Sequence, residues 1–178
     1  MRILKSILCL TAAGMLALSA SAALPSVKLK DLKGKTVDTA QLNNGGKPMI
    51  ISFFYIGCKP CKRELNAINE YYADWQDETG VKLVAVSIDK GQDAAKVKPF
   101  VDGEGWEYDV ILDPNSNFMH ALGVQTTPHL IILDGEGNIV ESHSGYTEGS
   151  ETQIIKKLRE ISAKKPAKKP VKKIAKKK

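Results

Sequence analysis

Two thiols held two residues apart, Cys58-Lys59-Pro60-Cys61, are the groups in this 178-residue chain best suited to chemistry. They directly follow an apolar run, Met49-Ile50-Ile51-Ser52-Phe53-Phe54-Tyr55-Ile56, and precede helix-forming residues, Lys62-Arg63-Glu64-Leu65-Asn66-Ala67-Ile68. The order predicts a buried strand that ends in CxxC and runs into a helix. The first sulfur then stands at a helix N-terminus, where unpaired backbone N–H groups and the positive end of the macrodipole favour a thiolate. The thiolate is the species that attacks disulfides. Lys59 adds positive charge beside Cys58, and Pro60 suits an early helical position where its missing N–H costs nothing. A purely structural bridge is disfavoured, because so short a loop gains little closure entropy. Thiol–disulfide exchange is the chemistry these residues point to.

The third cysteine, Cys9, falls in a segment that reads as a secretory leader. Arg2 and Lys5 give the positive end, Ile7 to Leu18 the apolar stretch, and Ala20-Ser21-Ala22 the small-x-small cleavage pattern. Cleavage is expected after Ala22, with residues 1–22 removed and the mature protein in the periplasm or cell envelope. An uncleaved N-terminal anchor is the alternative, although the apolar run is short for a bilayer span. Cys9 lies inside the apolar stretch and follows Leu8, which does not fit a lipid-attachment motif. Cys58 and Cys61 are then the only thiols of the mature chain.

The net charge of +6 is unevenly placed. Nine of the 26 basic residues are lysines of the tail 164–178 and two lie in the leader, so the span between carries 15 basic against 20 acidic residues. This is a mildly acidic domain, residues 23–163, with a strongly basic tail. The Lys/Pro-rich tail lacks the apolar content for a packed core and is expected to be disordered. Anionic envelope surfaces are its candidate partner; nucleic acid is not expected for an exported protein.

The body has room for one domain and a core that needs no disulfide staples. Val27 to Lys30 alternates as an edge strand does, with a turn at Asp31-Leu32-Lys33-Gly34-Lys35, a second short strand at Thr36-Val37, and Thr39 as cap of a helical turn. Strand and helix then alternate. Strands are expected over 49–55, 81–88, 108–112, 129–133 and 139–143, and helices over 60–77, 89–102, 116–122 and 150–161. Pro99 is expected to distort the second helix. Asp134-Gly135-Glu136-Gly137-Asn138 is a hairpin turn that makes the sheet mixed. The expected class is α/β, a mixed central sheet with helices on both faces, an N-terminal strand extension and an inserted α/β segment over 89–112.

Strand, CxxC and long helix, then Thr127-Pro128 before a strand and a hairpin, resemble the thioredoxin-like fold over residues 24–162. Gly46-Lys47-Pro48 before the core strand, Cys58-Lys59-Pro60-Cys61-Lys62-Arg63-Glu64, and the inserted segment are similar to its exported TlpA/ResA branch of thiol–disulfide oxidoreductases. The resemblance implies that Cys58 is the exposed attacker and Cys61 the resolving thiol. It implies that Pro128 is cis and faces the pair, and that Thr127 offers backbone to a client strand. Lys59, Pro60, Thr127 and Pro128 thus form the substrate-binding set. Glu64 matches an acid kept near the thiols, able to move the proton of Cys61 during resolution; an ordinary solvent-facing helix carboxylate is the competing reading. Implied partners are protein disulfides of the cell envelope, apocytochrome c among the candidates, and a membrane thiol electron donor. No cofactor beyond the redox-active Cys58–Cys61 pair is implied.

The chain departs from that branch in two places. Gly57 stands where Trp usually precedes the first cysteine, which implies a flatter, less screened approach to Cys58. Ser52 stands where the strand often carries Asp or Asn, and Glu64 is the candidate replacement. Two other chemistries fit parts of the pattern. Cys58, Cys61 and His129 can be written as a copper set like that of Sco-type chaperones, although those resemble CxxxC. An aromatic run before the reactive cysteine also occurs in peroxiredoxins, but Tyr55 stands three positions before Cys58, and a low-pKa, exposed thiol alone does not make a peroxidase. His120 and Met119 read as residues of a short helix, and nothing is assigned to His143.

Overall fold

The structure is a computed structural model and describes residues 24–164. The leader expected at 1–22 and residues 165–178 of the basic tail lie outside the described residues. Seven strands form one mixed sheet: β1 (Lys28–Asp31), β2 (Thr36–Asp38), β3 (Met49–Phe54), β4 (Lys82–Ser87), β5 (Asp109–Leu112), β6 (His129–Leu133) and β7 (Ile139–Ser144). Their spatial order is β2-β1-β5-β4-β3-β6-β7. The centre, β5-β4-β3, is parallel, while the β6–β7 hairpin and the β1–β2 extension add antiparallel edges. This is the mixed sheet the alternating pattern predicts.

The four helices are α1 (Lys59–Thr79), α2 (Val97–Glu104), α3 (Asn117–Ala121) and α4 (Glu151–Ala163). None of the helices among the described residues is long and apolar enough to cross a membrane. Successive strand residues face opposite ways, so the sheet divides the interior into two cores. On one face Ile50, Phe54, Leu83, Ala85, Leu130 and Ile132 meet α1, α2 and α4 through Leu65, Ile68, Val97, Val101, Ile154 and Leu158. On the other, Ile51, Phe53, Val84, Val86 and Ile131 meet α3 through Phe118 and Met119, closed over by Leu24 and Leu29. The long helix ends at Gly80, whose φ of 67° suits the residue type that stops a helix without steric cost.

Local expectations fail in three places. The predicted helix over 89–102 is a 3-10 segment, Gly91–Lys96, followed by α2. Pro99 falls in the first turn of α2, where no intrahelical N–H is needed, and so does not distort it. Asp38, rather than Thr39, caps the turn after β2, accepting from the Ala40 N–H. Thr39 is buried and ties the lead-in, accepting from Val27 N at 2.9 Å. At the start of α3 the Ser116 side chain makes no capping hydrogen bond. Asp113, fully buried, accepts the N–H groups of Asn117, Phe118 and Met119 at 2.8, 3.0 and 3.0 Å.

Candidate active site

Cys58 and Cys61 form a disulfide, with Cα atoms 5.3 Å apart. Cys58 is the N-cap of the 21-residue helix α1, with extended backbone and Pro60 in the first turn. Its Sγ accepts the Cys61 N–H at 3.2 Å. A sulfur thus occupies the place a Ser or Asp side chain takes at other helix starts. The resemblance implies an exposed Cys58; instead it is 3% exposed, and Cys61 1%. Tyr55, 43% exposed, packs its ring against Gly57 closely enough that an added Cβ there would meet Cε2 at 3.1 Å. An aromatic from two residues upstream thus lies beside the position where the resemblance expects Trp.

Three contacts fix the loop that carries Cys58. The Cys58 N–H donates to Tyr55 O at 2.9 Å. The Ile56 N–H donates to both Asp89 oxygens, at 3.2 and 3.1 Å, and Ser87 Oγ donates to Asp89 Oδ2 at 2.8 Å. Burial pushes the Asp89 carboxyl up from its ordinary value, and these hydrogen bonds act against it. Asp89 is a positioning group that sequence reasoning missed; its place just after a buried strand, level with the cysteine loop on the neighbouring strand, is visible only once β3 and β4 are paired.

The Thr127–Pro128 peptide is cis, as the resemblance implies, and Thr127 Oγ1 lies 3.9 Å from Cys58 Sγ. Lys59 is exposed and Pro60 half-buried, so the dipeptide between the thiols faces outward. The inserted segment braces the same helix. Lys62 Nζ pairs with Glu104 at 2.6 Å, Asn66 bonds both Glu104 and the Trp106 indole N–H, and Tyr108 O–H donates to Leu65 O at 3.0 Å.

Glu64 is not a surface carboxylate. It is 1% exposed and accepts from Ser52 Oγ at 3.0 Å. It lies three residues after Cys61, a spacing that puts both on one helix face. Burial pushes its carboxyl up to about 7, against the smaller downward pull of the Ser52 hydrogen bond. A carboxyl with this value is half-ionised near neutral pH, the condition for accepting and returning a proton. Ser52, which replaces the expected Asp or Asn, thus holds the acid that α1 supplies.

The copper set is not assembled. No group of three or more His, Cys, Asp or Glu able to hold a metal ion occurs among the described residues. His129 pairs across the sheet with Phe53, on the face away from α1, and its two ring nitrogens lie 2.7 Å from Ser144 Oγ and 2.8 Å from Ser142 Oγ. Burial, and secondarily the neighbouring His143, hold the His129 imidazole below its ordinary value.

The AhpC/TSA family profile matches residues 20–142. The chain belongs to this family. It is 30% identical over 138 residues to the thiol-disulfide oxidoreductase ResA of Bacillus thuringiensis (strain Al Hakam), covering 78% of this chain and 76% of that one. A second ResA, of Halalkalibacterium halodurans, is 28% identical over 133 residues, covering 75% and 71%. Among solved structures, a thioredoxin-like protein of Porphyromonas gingivalis superposes with a TM-score of 0.72 at 61% identity, over 80% of this chain and 93% of that one. StoA from Bacillus subtilis, at 23% identity and TM-score 0.59 over 76% and 98%, shares the fold. The thioredoxin-like fold is borne out, and the protein is a thiol–disulfide oxidoreductase of ResA type.

Proposed function

We propose that this enzyme reduces disulfides of exported proteins, with Cys58 as attacker, Cys61 as resolving thiol and Glu64 as proton acceptor. The Cys58 thiolate attacks one sulfur of a client disulfide; a Cys58–client disulfide forms and the other client sulfur leaves as thiolate. Cys61 gives its S–H proton to the Glu64 carboxylate and attacks Cys58 Sγ. The Cys58–Cys61 disulfide forms, and the second client sulfur leaves as thiolate. Two electrons pass to the client, and a membrane thiol donor restores the dithiol. Thr127 and Pro128, with Lys59 and Pro60, form the client-binding rim. The reading places a leader at 1–22, a thioredoxin-like domain at 23–163 and a basic tail at 164–178 that holds the enzyme near anionic envelope surfaces; apocytochrome c is a candidate client.

One observation carries the assignment of roles: the Cys61 N–H points at Cys58 Sγ from the first turn of α1. Donors and dipole at a helix start favour negative charge on that sulfur and not on its partner. In a Cys61→Ser variant, Cys58 should trap envelope proteins as mixed disulfides, separable on non-reducing gels. Equal trapping by Cys58→Ser would contradict the assignment.

A further inference from the structure

One buried polar contact is left unused by this chemistry. Glu64 Oε2 takes the Ser52 hydroxyl, but Glu64 Oε1 and His143 Nε2, both shielded from solvent, have no hydrogen-bond partner and lie 4.0 Å apart. Two facing orphans at this separation are costly in a protein interior unless they serve each other. The sheet register brings them together. Ser52 stands opposite Leu130, and Leu130 opposite His143, so Ser52 and His143 share the face beneath α1. His143 is also the basic side chain within 4.0 Å of Glu64 among the described residues. About a third of its side chain, 31%, is exposed, whereas Glu64 is 1% exposed. The imidazole therefore bridges a sealed carboxyl and the surface.

We propose that His143 is the positioning residue through which Glu64 exchanges its proton with solvent, completing a Cys61–Glu64–His143 relay. It rests on the reading of Glu64 as acceptor for Cys61. The balance is one proton and no electrons. Cys61 S–H protonates the Glu64 carboxylate; Glu64 O–H then protonates His143 Nε2 as the gap shortens; the imidazolium releases one N–H proton to water, leaving neutral imidazole and the carboxylate. Imidazole suits the task because it accepts at one nitrogen and releases from the other. Other ionisable groups flank the pair without occupying it. Burial raises Tyr108, just before β5, and Tyr146, after β7, and the Glu64 charge adds a smaller push to each. His129 lies across the sheet, and Glu141, further along β7, is paired with Lys157 of α4.

The test mixes fully reduced full-length protein with 5,5′-dithiobis(2-nitrobenzoate) and follows thionitrobenzoate release by stopped flow. The first release is the bimolecular attack by Cys58, and the second is the unimolecular resolution by Cys61. In His143→Gln the first release should be unchanged. The second should slow by about tenfold or more, with the midpoint of its pH profile moved up, because a neutral amide neither accepts the proton nor favours the carboxylate. Added imidazole should restore the second release in His143→Ala. In a Glu64→Gln background, His143→Gln should cost nothing further. An unchanged second release in His143→Gln, with Glu64→Gln slow, overturns the relay and leaves Glu64 in place. An additional loss in the double variant also overturns it, since His143 would then act on packing. A normal second release in Glu64→Gln instead removes Glu64 as acceptor, and the relay with it.

Discussion

The two faces of the sheet treat their histidines in opposite ways. On the α3 face, His129 has a serine hydroxyl at each ring nitrogen, beside a cluster of aliphatic and aromatic side chains. On the α1 face, one residue further along the hairpin register, His143 turns an unpartnered nitrogen towards an unpartnered carboxyl oxygen. A satisfied buried polar group adds stability and little else; unsatisfied ones are retained where they do something. The first face is built to hold the sheet. The second carries the long helix, both sulfurs and an acid with a displaced titration, and gives up some stability to do so.

The largest expected effect measures that sacrifice. The folded protein holds the Glu64 proton to about 7, whereas the ordinary value is 4.5. The folded state therefore binds the proton more tightly than the unfolded chain. Its stability contribution is complete below pH 4.5 and is lost as pH rises through about 7. The shift corresponds to about 3 kcal/mol of lost stability for the wild type above neutrality. Glu64→Gln cannot ionise, so its unfolding free energy relative to wild type should rise by about that amount between pH 5 and pH 8, measured by urea denaturation of the oxidised proteins. A pH-independent difference would mean the acid is not sealed in, and the contrast between the faces would lose its main support.

Ser52→Ala sharpens the same comparison at a smaller scale. The Ser52 hydroxyl donates to the Glu64 carboxylate and pulls its value down against burial. Its loss leaves a buried acceptor unpaired, at about 1–3 kcal/mol near neutral pH. The pH at which the second thiol release accelerates should also move up, because the carboxylate loses its donor. Loss of stability without movement of that profile would separate Ser52 from the chemistry.

Much of this organisation is legible in the sequence. The apolar run ending in CxxC, the Thr127-Pro128 pair before a strand, and the hairpin turn each carry their own local signal. Glu64 is a partial case. Read alone, it is a helix glutamate; read with Ile68 and Tyr72 at four-residue steps, it falls on the buried stripe of α1. His143 is different in kind. At the turn, Leu133 stands opposite Ile139, and an uninterrupted hairpin would put His143 opposite His129, on the α3 face. A register shift between Ile132 and Leu133 pairs Ile132 with Glu141, and His143 then falls opposite Leu130. A one-residue slip exchanges the faces of every later side chain, and no composition or spacing rule locates this one. Asp89 is hidden for a related reason, since its partner Ile56 is in the loop that follows another strand, β3.

The smallest effect is expected at His129. Its neighbours Ser142 and Ser144 are exposed and can turn to water when the imidazole is gone, so neither hydroxyl is stranded. His129→Ala should cost about 1 kcal/mol or less, the net worth of one ordinary hydrogen bond. Both thiol-release phases and the pH profile of the second should match wild type, since the sheet stands between this ring and Glu64. The coupling between the two imidazoles gives the experiment its edge: His129 is held low by burial and, secondarily, by His143. If His129→Ala moves the profile as far as His143→Gln does, charge passes freely through the sheet. The division into a holding face and a working face would then be wrong, and the relay would have to be redrawn to include both rings.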